Sequence, residues 1–308
     1  MHTIEELSRL TPDRDMVLTI GVFDGVHLGH RHLIQSVTKA AAELGCLSGV
    51  ITFHPHPKLV LSPSFRPRYL TTVRDRLELI EELGVDIITT LTFTPELAQM
   101  TAEEFVVLVQ QHLRMRALFI GWDFALGRGR EGNEEALRQI GLRRGFQVYS
   151  VPRLVLGGEP VSSTAIRLAL AEGDVTRAAK FLGRRFTLKG KVVHGAERGR
   201  SIGFPTANLG VDPEQALPRD GVYVTRAVVR SRIHEAVTNI GRRPSFDHGD
   251  RSVEVHLLGF EGNLYGEEIS IELLQHLRGE KKFANIDELK AQINQDIALA
   301  RTILGKND

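Results

Sequence analysis

The chain has 308 residues, 42% hydrophobic and 25% charged, and its 39 basic and 38 acidic side chains leave a formal net charge of +1. That length suggests two domains, and a balance so close to neutral calls for neither nucleic acid nor an anionic membrane as a partner. One cysteine excludes an intramolecular disulfide framework and fits a reducing cytoplasm, the charged start lacks the apolar core of a signal peptide, and no apolar run approaches transmembrane length.

Apolar runs at 16–20, 47–53, 87–93, 117–121 and 146–151 predict strands. Periodic segments at 28–44, 73–83, 102–113 and 134–143 predict helices between them, and two more follow at 163–171 and 175–181. The alternation predicts an α/β fold, a doubly wound parallel sheet covered on both faces. Ligands of such sheets bind beyond the carboxyl ends of the strands. His27, His30, His54, His56 and Asp123 each follow a predicted strand, so they belong at one rim. After Gly183 the pattern changes to short strand-like runs at 186–193, 221–229, 233–240, 252–258 and 269–273, with Ser231-Arg232 as a short hairpin connection. These predict a small antiparallel β-barrel. A closing helix is marked by the apolar stripe Ile286, Leu289, Ile293, Ile297 and Ala300, with Asn285 as N-cap and Glu288 three residues on. The stripe reads as a face that packs on the barrel. The expected domains are 1–183 and 184–308.

Thr19 to His30 is the most informative stretch. A buried strand ends at Ile20, a tight turn carries Gly21, Phe23, Asp24 and Gly25, and a helix follows with His27 and His30 on one face of its first turn. A helix N-terminus offers free N–H groups and partial positive charge, which suits the phosphates of a nucleotide. Two other readings stay open here: a glycine turn with two surface histidines, and a metal site joined by His54 and His56. The pattern His-x-Gly-His resembles the signature of the nucleotidylyltransferase superfamily. There the histidines hold ATP phosphates while a substrate oxyanion attacks the α-phosphorus.

Further along, His54-Pro55-His56-Pro57 closes the second strand, where prolines remove backbone donors and leave the imidazoles as the local ones. The proline- and arginine-rich stretch 58–70 reads as a cover. Gly121-Trp122-Asp123-Phe124 follows the fourth strand, and Ser162-Ser163-Thr164-Ala165-Ile166-Arg167 opens a helix with hydroxyls and a cation, a second phosphate corner. In this order the segments closely resemble the FMN adenylyltransferase module of the bacterial bifunctional riboflavin kinase/FAD synthetases. The resemblance implies that His27, His30, His56 and Pro57 contact ATP phosphates. It further implies that Asp123 contributes to the nucleotide site and that Ser162, Ser163, Thr164 and Arg167 face the phosphates. Trp122 stands where that family usually carries a polar residue. Gly127-Arg128-Gly129-Arg130-Glu131-Gly132 matches a dinucleotide fingerprint but lies past its strand, with no acidic residue ending a second strand at the required distance.

The barrel half carries a glycine-rich loop, 194–209, that includes Gly195 and Gly203 and centres on Pro205-Thr206-Ala207-Asn208. Backbone N–H groups there suit phosphates, and Thr206 and Asn208 offer neutral oxygens to a hard cation such as magnesium. Alternation sends Val253, Val255 and Leu257 to one strand face and Glu254 and His256 to the other. Glu254 reads either as a solvated strand carboxylate or as a functional acid–base group. These residues, with Gly221-Val222-Tyr223 and 239–244, resemble the riboflavin kinase module of the same family. The resemblance implies that Thr206 and Asn208 bind Mg²⁺ and phosphate and that Glu254 is the base. The expectation is a bifunctional enzyme taking riboflavin, FMN and ATP, with no nucleic-acid or membrane partner. The oligomeric state stays open, a homo-oligomer included. A flavin carrier without turnover and a nucleotidylyltransferase for another small substrate are the alternatives.

Overall fold

A computed structural model describes residues 2–62, 64–66, 68–195, 199, 202–242 and 251–305. The parts of the glycine-rich loop at 196–198 and 200–201, and the motif residues Arg243 and Pro244, lie outside the described residues. By its contacts the chain divides into two compact units, residues 1–163 and 164–308. Among the described residues no helix is long and apolar enough to cross a membrane.

The first unit runs α1 (His2–Ser8), β1 (Met16–Ile20), α2 (Leu28–Leu44), β2 (Leu47–His54), α3 (Pro57–Leu61), α4 (Val73–Glu81), β3 (Ile87–Thr92), α5 (Pro95–Gln99), α6 (Ala102–Leu113), β4 (Met115–Gly121), α7 (Glu134–Arg144) and β5 (Gln147–Val151), then the short pair β6 (Val155–Leu156) and β7 (Glu159–Pro160). β1 to β5 form one parallel sheet in the order β3-β2-β1-β4-β5. β1 is central and wholly buried because both of its faces are covered. Leu18, Leu91 and Leu118 pack with Phe105, Val106 and Val109 of α6 on one face, and Val17, Val50 and Phe119 with Ile34 and Val37 of α2 on the other. The chain winds from β1 toward β3 and then returns to β4 on the far side of β1. That reversal opens a crevice beyond the carboxyl ends of β1 and β4.

α1, α3 and α5 are helices that the periodicity of the sequence does not predict. Each is too short to show a period, yet α3 and α5 carry proline at the first helical position behind a capping side chain, His56 and Thr94.

After α8 (Ser163–Glu172), whose first residue closes the first unit, the second unit holds α9 (Val175–Leu182), β8 (Phe186–Val193), β9 (Ala207–Gly210), β10 (Gly221–Val229), β11 (Arg232–Arg242), β12 (Arg251–Leu257), β13 (Glu268–Arg278) and α10 (Ile286–Leu304). Its strands close into a barrel in the order β10-β11-β12-β9-β8-β13. Val253, Val255 and Leu257 turn inward as alternation requires, and the buried hydroxyls of Thr225 and Thr238 share a 2.8 Å hydrogen bond inside. α9 packs on β8 and β13, burying Val175, Ala178, Phe181 and Leu182. α10 is capped as expected, the Glu288 amide donating to Asn285 Oδ1 at 2.9 Å.

One expectation is corrected and one is extended. The β10–β11 hairpin turns on Arg230-Ser231, one residue earlier than expected, and both residues have positive φ (49° and 63°), the handedness that matches strand twist. The stripe on α10 does more than pack: Leu289, Ile293 and Ile297 line a cavity against the barrel's outer face.

Candidate active sites

The first site forms where β1 ends. His27 is the N-cap of α2, its Nδ1 accepting from the His30 amide at 3.2 Å. An imidazole whose Nδ1 accepts keeps its proton on Nε2, so His27 presents a donor away from the helix. The two imidazoles stack with centroids 3.6 Å apart, and Phe23 meets His30 edge-on at 5.3 Å. Gly29 makes this possible, because a Cβ there would sit 3.2 Å from the His27 ring. The turn before α2 is strained: Phe23 and Val26 have φ of 51° and 38°, where side chains other than glycine are uncommon. Both are almost fully buried, and that packing holds them there.

Asp24 is buried, and its Oδ1 accepts from the amides of Leu70 (2.9 Å) and Thr71 (3.3 Å), while Thr71 Oγ1 accepts from the Gly25 amide at 3.1 Å. The carboxylate therefore ties the end of the covering segment to the turn. Ser163 Oγ donates to the Asp24 carbonyl at 3.0 Å, which brings the Ser162-Ser163 corner to the same turn. Thr164 and Arg167 follow on the first turns of α8, within the second unit.

His56 caps α3 through Nδ1, which accepts from the Lys58 amide at 3.1 Å. The expected donor role thus falls to Nε2 alone. A cavity of about 640 Å³ opens at this rim, lined by Gly21, His56, Pro57 and Asp123 and floored by Phe53, Phe93 and Phe105. Arg130 Nη2 donates to the Asp123 carbonyl at 3.0 Å, so the 127–132 loop closes one side of that cavity. Trp122 is 55% exposed with the Arg153 guanidinium 4.6 Å from its ring. Among the described residues no group of three or more His, Cys, Asp or Glu is placed to hold a metal ion.

The second site lies on the barrel. Asn208 stands on β9, a strand that the glycine-rich composition had hidden. In the ladder Asn208 pairs with Glu254, and Glu254 with Asn239. Directly paired residues share a face, so one carboxylate sits between two carboxamides. Asn239 opens the 239–244 segment of the family resemblance, but its place beside Glu254 follows only from strand register, which is not local information. Gly195 leaves room for the Asn208 carboxamide: a Cβ there would fall 2.1 Å from Nδ2. Gly203 turns with φ 91° ahead of Pro205, whose carbonyl lies 2.7 Å from His256 Nδ1.

Two cavities meet at Thr206. One, of about 310 Å³, runs between Asn239, Glu254 and the apolar face of α10. The other, of about 760 Å³, is lined by Pro205, Thr206, Leu257 and Tyr265, and the Tyr265 ring stacks on His194 at 3.9 Å. α10 is clamped as a wall by Asp296, which is 6% exposed. Its Oδ2 accepts from Arg278 Nη2 at 2.7 Å, and its Oδ1 from Gln292 Nε2 at 3.0 Å.

The FAD synthetase family matches residues 10–165 and the Riboflavin kinase family residues 182–304. The bifunctional riboflavin kinase/FMN adenylyltransferase of Escherichia coli (strain K12) is 40% identical over 304 residues, covering 98% of this chain and 96% of that one. The chain belongs to the bifunctional riboflavin kinase/FMN adenylyltransferase family. Its Bacillus subtilis relative of the same description is 36% identical over 285 residues, 91% of this chain and 90% of that one. A solved structure, named as a macrolide-efflux protein from Streptococcus pneumoniae, superimposes with a TM-score of 0.89 at 30% identity, over 98% of this chain and 97% of the other. With both modules present, this member carries the riboflavin kinase and FMN adenylyltransferase activities of the family.

Proposed function

We propose that the first unit adenylylates FMN at the His27–His30 corner and that the barrel phosphorylates riboflavin with Glu254 as general base. The meeting of two cavities at Thr206, beside the row Asn208–Glu254–Asn239, carries the reading most strongly. The apolar cavity under α10 suits the flavin ring, and the cavity beside the glycine-rich loop suits ATP. The ribityl 5′-hydroxyl then reaches the γ-phosphorus near Thr206. Its proton passes to the Glu254 carboxylate as the new O–P bond forms and ADP leaves. Thr206 and Asn208 give neutral oxygens, a donor set fit for Mg²⁺ bound together with substrate phosphates, and Gly195 leaves room for the Asn208 carboxamide. When bound there the ion supplies charge neutralisation.

In the first unit the FMN phosphate attacks the α-phosphorus of ATP, and the bond to the β-phosphate oxygen breaks to release pyrophosphate. The nucleophile is already anionic, so the site needs positioned donors rather than a strong base. His27 and His56, each held through Nδ1, offer Nε2–H, and the α2 N-terminus adds free amides. The aromatic floor of the 640 Å³ cavity suits the flavin ring. Asp24 and Phe23 shape the turn, and Gly21 and Gly25 leave it open. Ser162 and Ser163 lie beside it. Thr164 and Arg167 are assigned to phosphate contact on the family resemblance alone.

We set the catalytic division at Gly183, and the single buried Cys46 suits a reducing cytoplasm. Incubating the protein with riboflavin, ATP and Mg²⁺ and resolving the flavins by chromatography tests the whole reading. FMN is expected first and FAD after it. Tight flavin binding with no product favours the carrier alternative, and FMN without FAD removes the first assignment.

A further inference from the structure

Arg76, on the first turns of α4, is the largest fully buried side chain among the described residues, with 0% exposure. Its Nη1 donates to Thr52 Oγ1 at 3.4 Å and to the Phe53 carbonyl at 3.2 Å. Its Nε and Nη2 meet no hydrogen-bond acceptor. Burial pushes its pKa down, and the Asp24 carboxylate and Tyr69 phenol nearby oppose that shift. A buried guanidinium with unmet donors costs stability relative to an apolar side chain of the same size. Packing alone gives no reason to place one here.

The neighbours of Arg76 supply a reason. Thr52 Oγ1, which accepts from Arg76, donates onward to the Val22 carbonyl at 2.9 Å. Asp24, the carboxylate whose field Arg76 feels, holds Leu70 and Thr71 against the turn. The Tyr69 ring lies 5.8 Å from the guanidinium, and its hydroxyl accepts from the His56 amide at 2.9 Å. One buried cation thus touches, through a single intermediary in each case, the turn that leads into His27 and the turn that carries His56. Neither turn is regular secondary structure, and the first contains two residues with strained φ.

We propose that Arg76 is a positioning residue for adenylyl transfer, fixing the His27 turn through Thr52 and Asp24 and the His56 turn through Tyr69. The inference rests on the function proposed above for the first unit. Arg76 itself is sealed from substrate, so it acts only through these groups. Because its charge opposes folding, the proposal separates stability from activity in a way that a packing role does not.

The test uses the full-length protein with Arg76→Met, Arg76→Lys and Thr52→Val, measuring the melting temperature and kcat and KM for FMN-to-FAD conversion, with riboflavin phosphorylation as an internal control. Arg76→Met is expected to melt no lower than the parent and to keep its kinase rate. Its adenylyl-transfer kcat is expected to fall by about 10–100-fold, as an ångström-scale misplacement of phosphate donors does, with KM for FMN little changed. Arg76→Lys should recover part of the loss. Thr52→Val should lower kcat in the same direction, and adding it to Arg76→Met should change little further, since both act on one relay. Full adenylyl-transfer kcat in folded Arg76→Met overturns the proposal, and so does a loss shared equally by both activities. If Arg76→Met does not fold, Thr52→Val decides: a normal kcat in that variant overturns the proposal and a lowered one supports it. A parent protein that makes no FAD refutes the functional reading instead, so the two failures are distinct.

Discussion

On the proposed reading, the two sites handle phosphates with different materials. The corner in the first unit is built from strained loop backbone, two stacked imidazoles and a helix N-terminus, and no carboxylate faces outward from its turn, because Asp24 is spent on backbone amides. The barrel site is built on strands, with Glu254 between two carboxamides. Under that proposal the nucleophiles explain the contrast. A phosphate monoester arrives ionised and needs only donors aimed at the developing charge, whereas a neutral hydroxyl must lose a proton as it attacks.

The sharpest way to break this contrast is Glu254→Gln, which keeps size and much of the hydrogen bonding but accepts no proton. Conversion of riboflavin to FMN should fall by about 10²–10⁴-fold, the usual range for loss of a general base. FMN-to-FAD conversion should continue at the parent rate. Near-normal kinase turnover in this variant would return Glu254 to the status of a solvated strand carboxylate. The reciprocal change is His30→Ala, which removes one donor from the corner and should raise the barrier to FAD formation by about 2.7–4 kcal/mol while sparing the kinase. Unchanged FAD synthesis would mean that the stacked pair serves the fold and not the phosphates.

The contrast also governs how much was legible in the sequence. The helical turn with His27 and His30 announces itself because strand, glycine turn and helix are contiguous, and α2 spans the expected 28–44. β1 and the alternation on β12 were equally readable, since an apolar run or a period of two is local. Asn239 was not, because its place beside Glu254 depends on which strands pair and in what register. β9 was hidden by glycine and proline on either side of it. Arg76 gives no local signal either: a charged residue on an amphipathic helix is ordinarily a surface residue, and only tertiary structure buries it beneath the corner.

A third prediction tests the boundary. Fragments 164–308 and 184–308 should both phosphorylate riboflavin and make no FAD. The shorter one loses α9, whose Phe181 and Leu182 are buried, and Gly173, which approaches the Tyr223 hydroxyl. It should unfold at lower denaturant, by at least the roughly 1.5–3 kcal/mol that one fully buried large side chain contributes. Equal stability would show that α8 and α9 are dispensable to the barrel.

The smallest expected effect separates the units by pH. Burial inside the barrel pushes the Tyr223 phenol up to about 12, and its hydroxyl donates to the Arg219 carbonyl. In the unfolded chain the same phenol ionises near 10. A folded pKa above the unfolded one contributes stability that is complete below about pH 10 and is lost as the pH rises toward 12. In the first unit the Asp86 carboxylate is shifted the other way, held below the usual range by the Ser48 hydroxyl and amide at 2.6 and 2.8 Å. Its contribution is present above the unfolded carboxylate pKa and is lost as the pH falls through its lowered folded value. Tyr223→Phe should therefore cost the barrel about 0.5–1.5 kcal/mol at pH 8, one hydrogen bond's worth, and should remove its share of the alkaline loss. Denaturant unfolding of parent and variant, followed by riboflavin kinase activity, should converge between pH 9 and about 11, while acid unfolding of the first unit, followed by FAD synthesis, should be the same for both. Parallel curves at high pH would mean that Tyr223 ionises as readily in the barrel as in the unfolded chain.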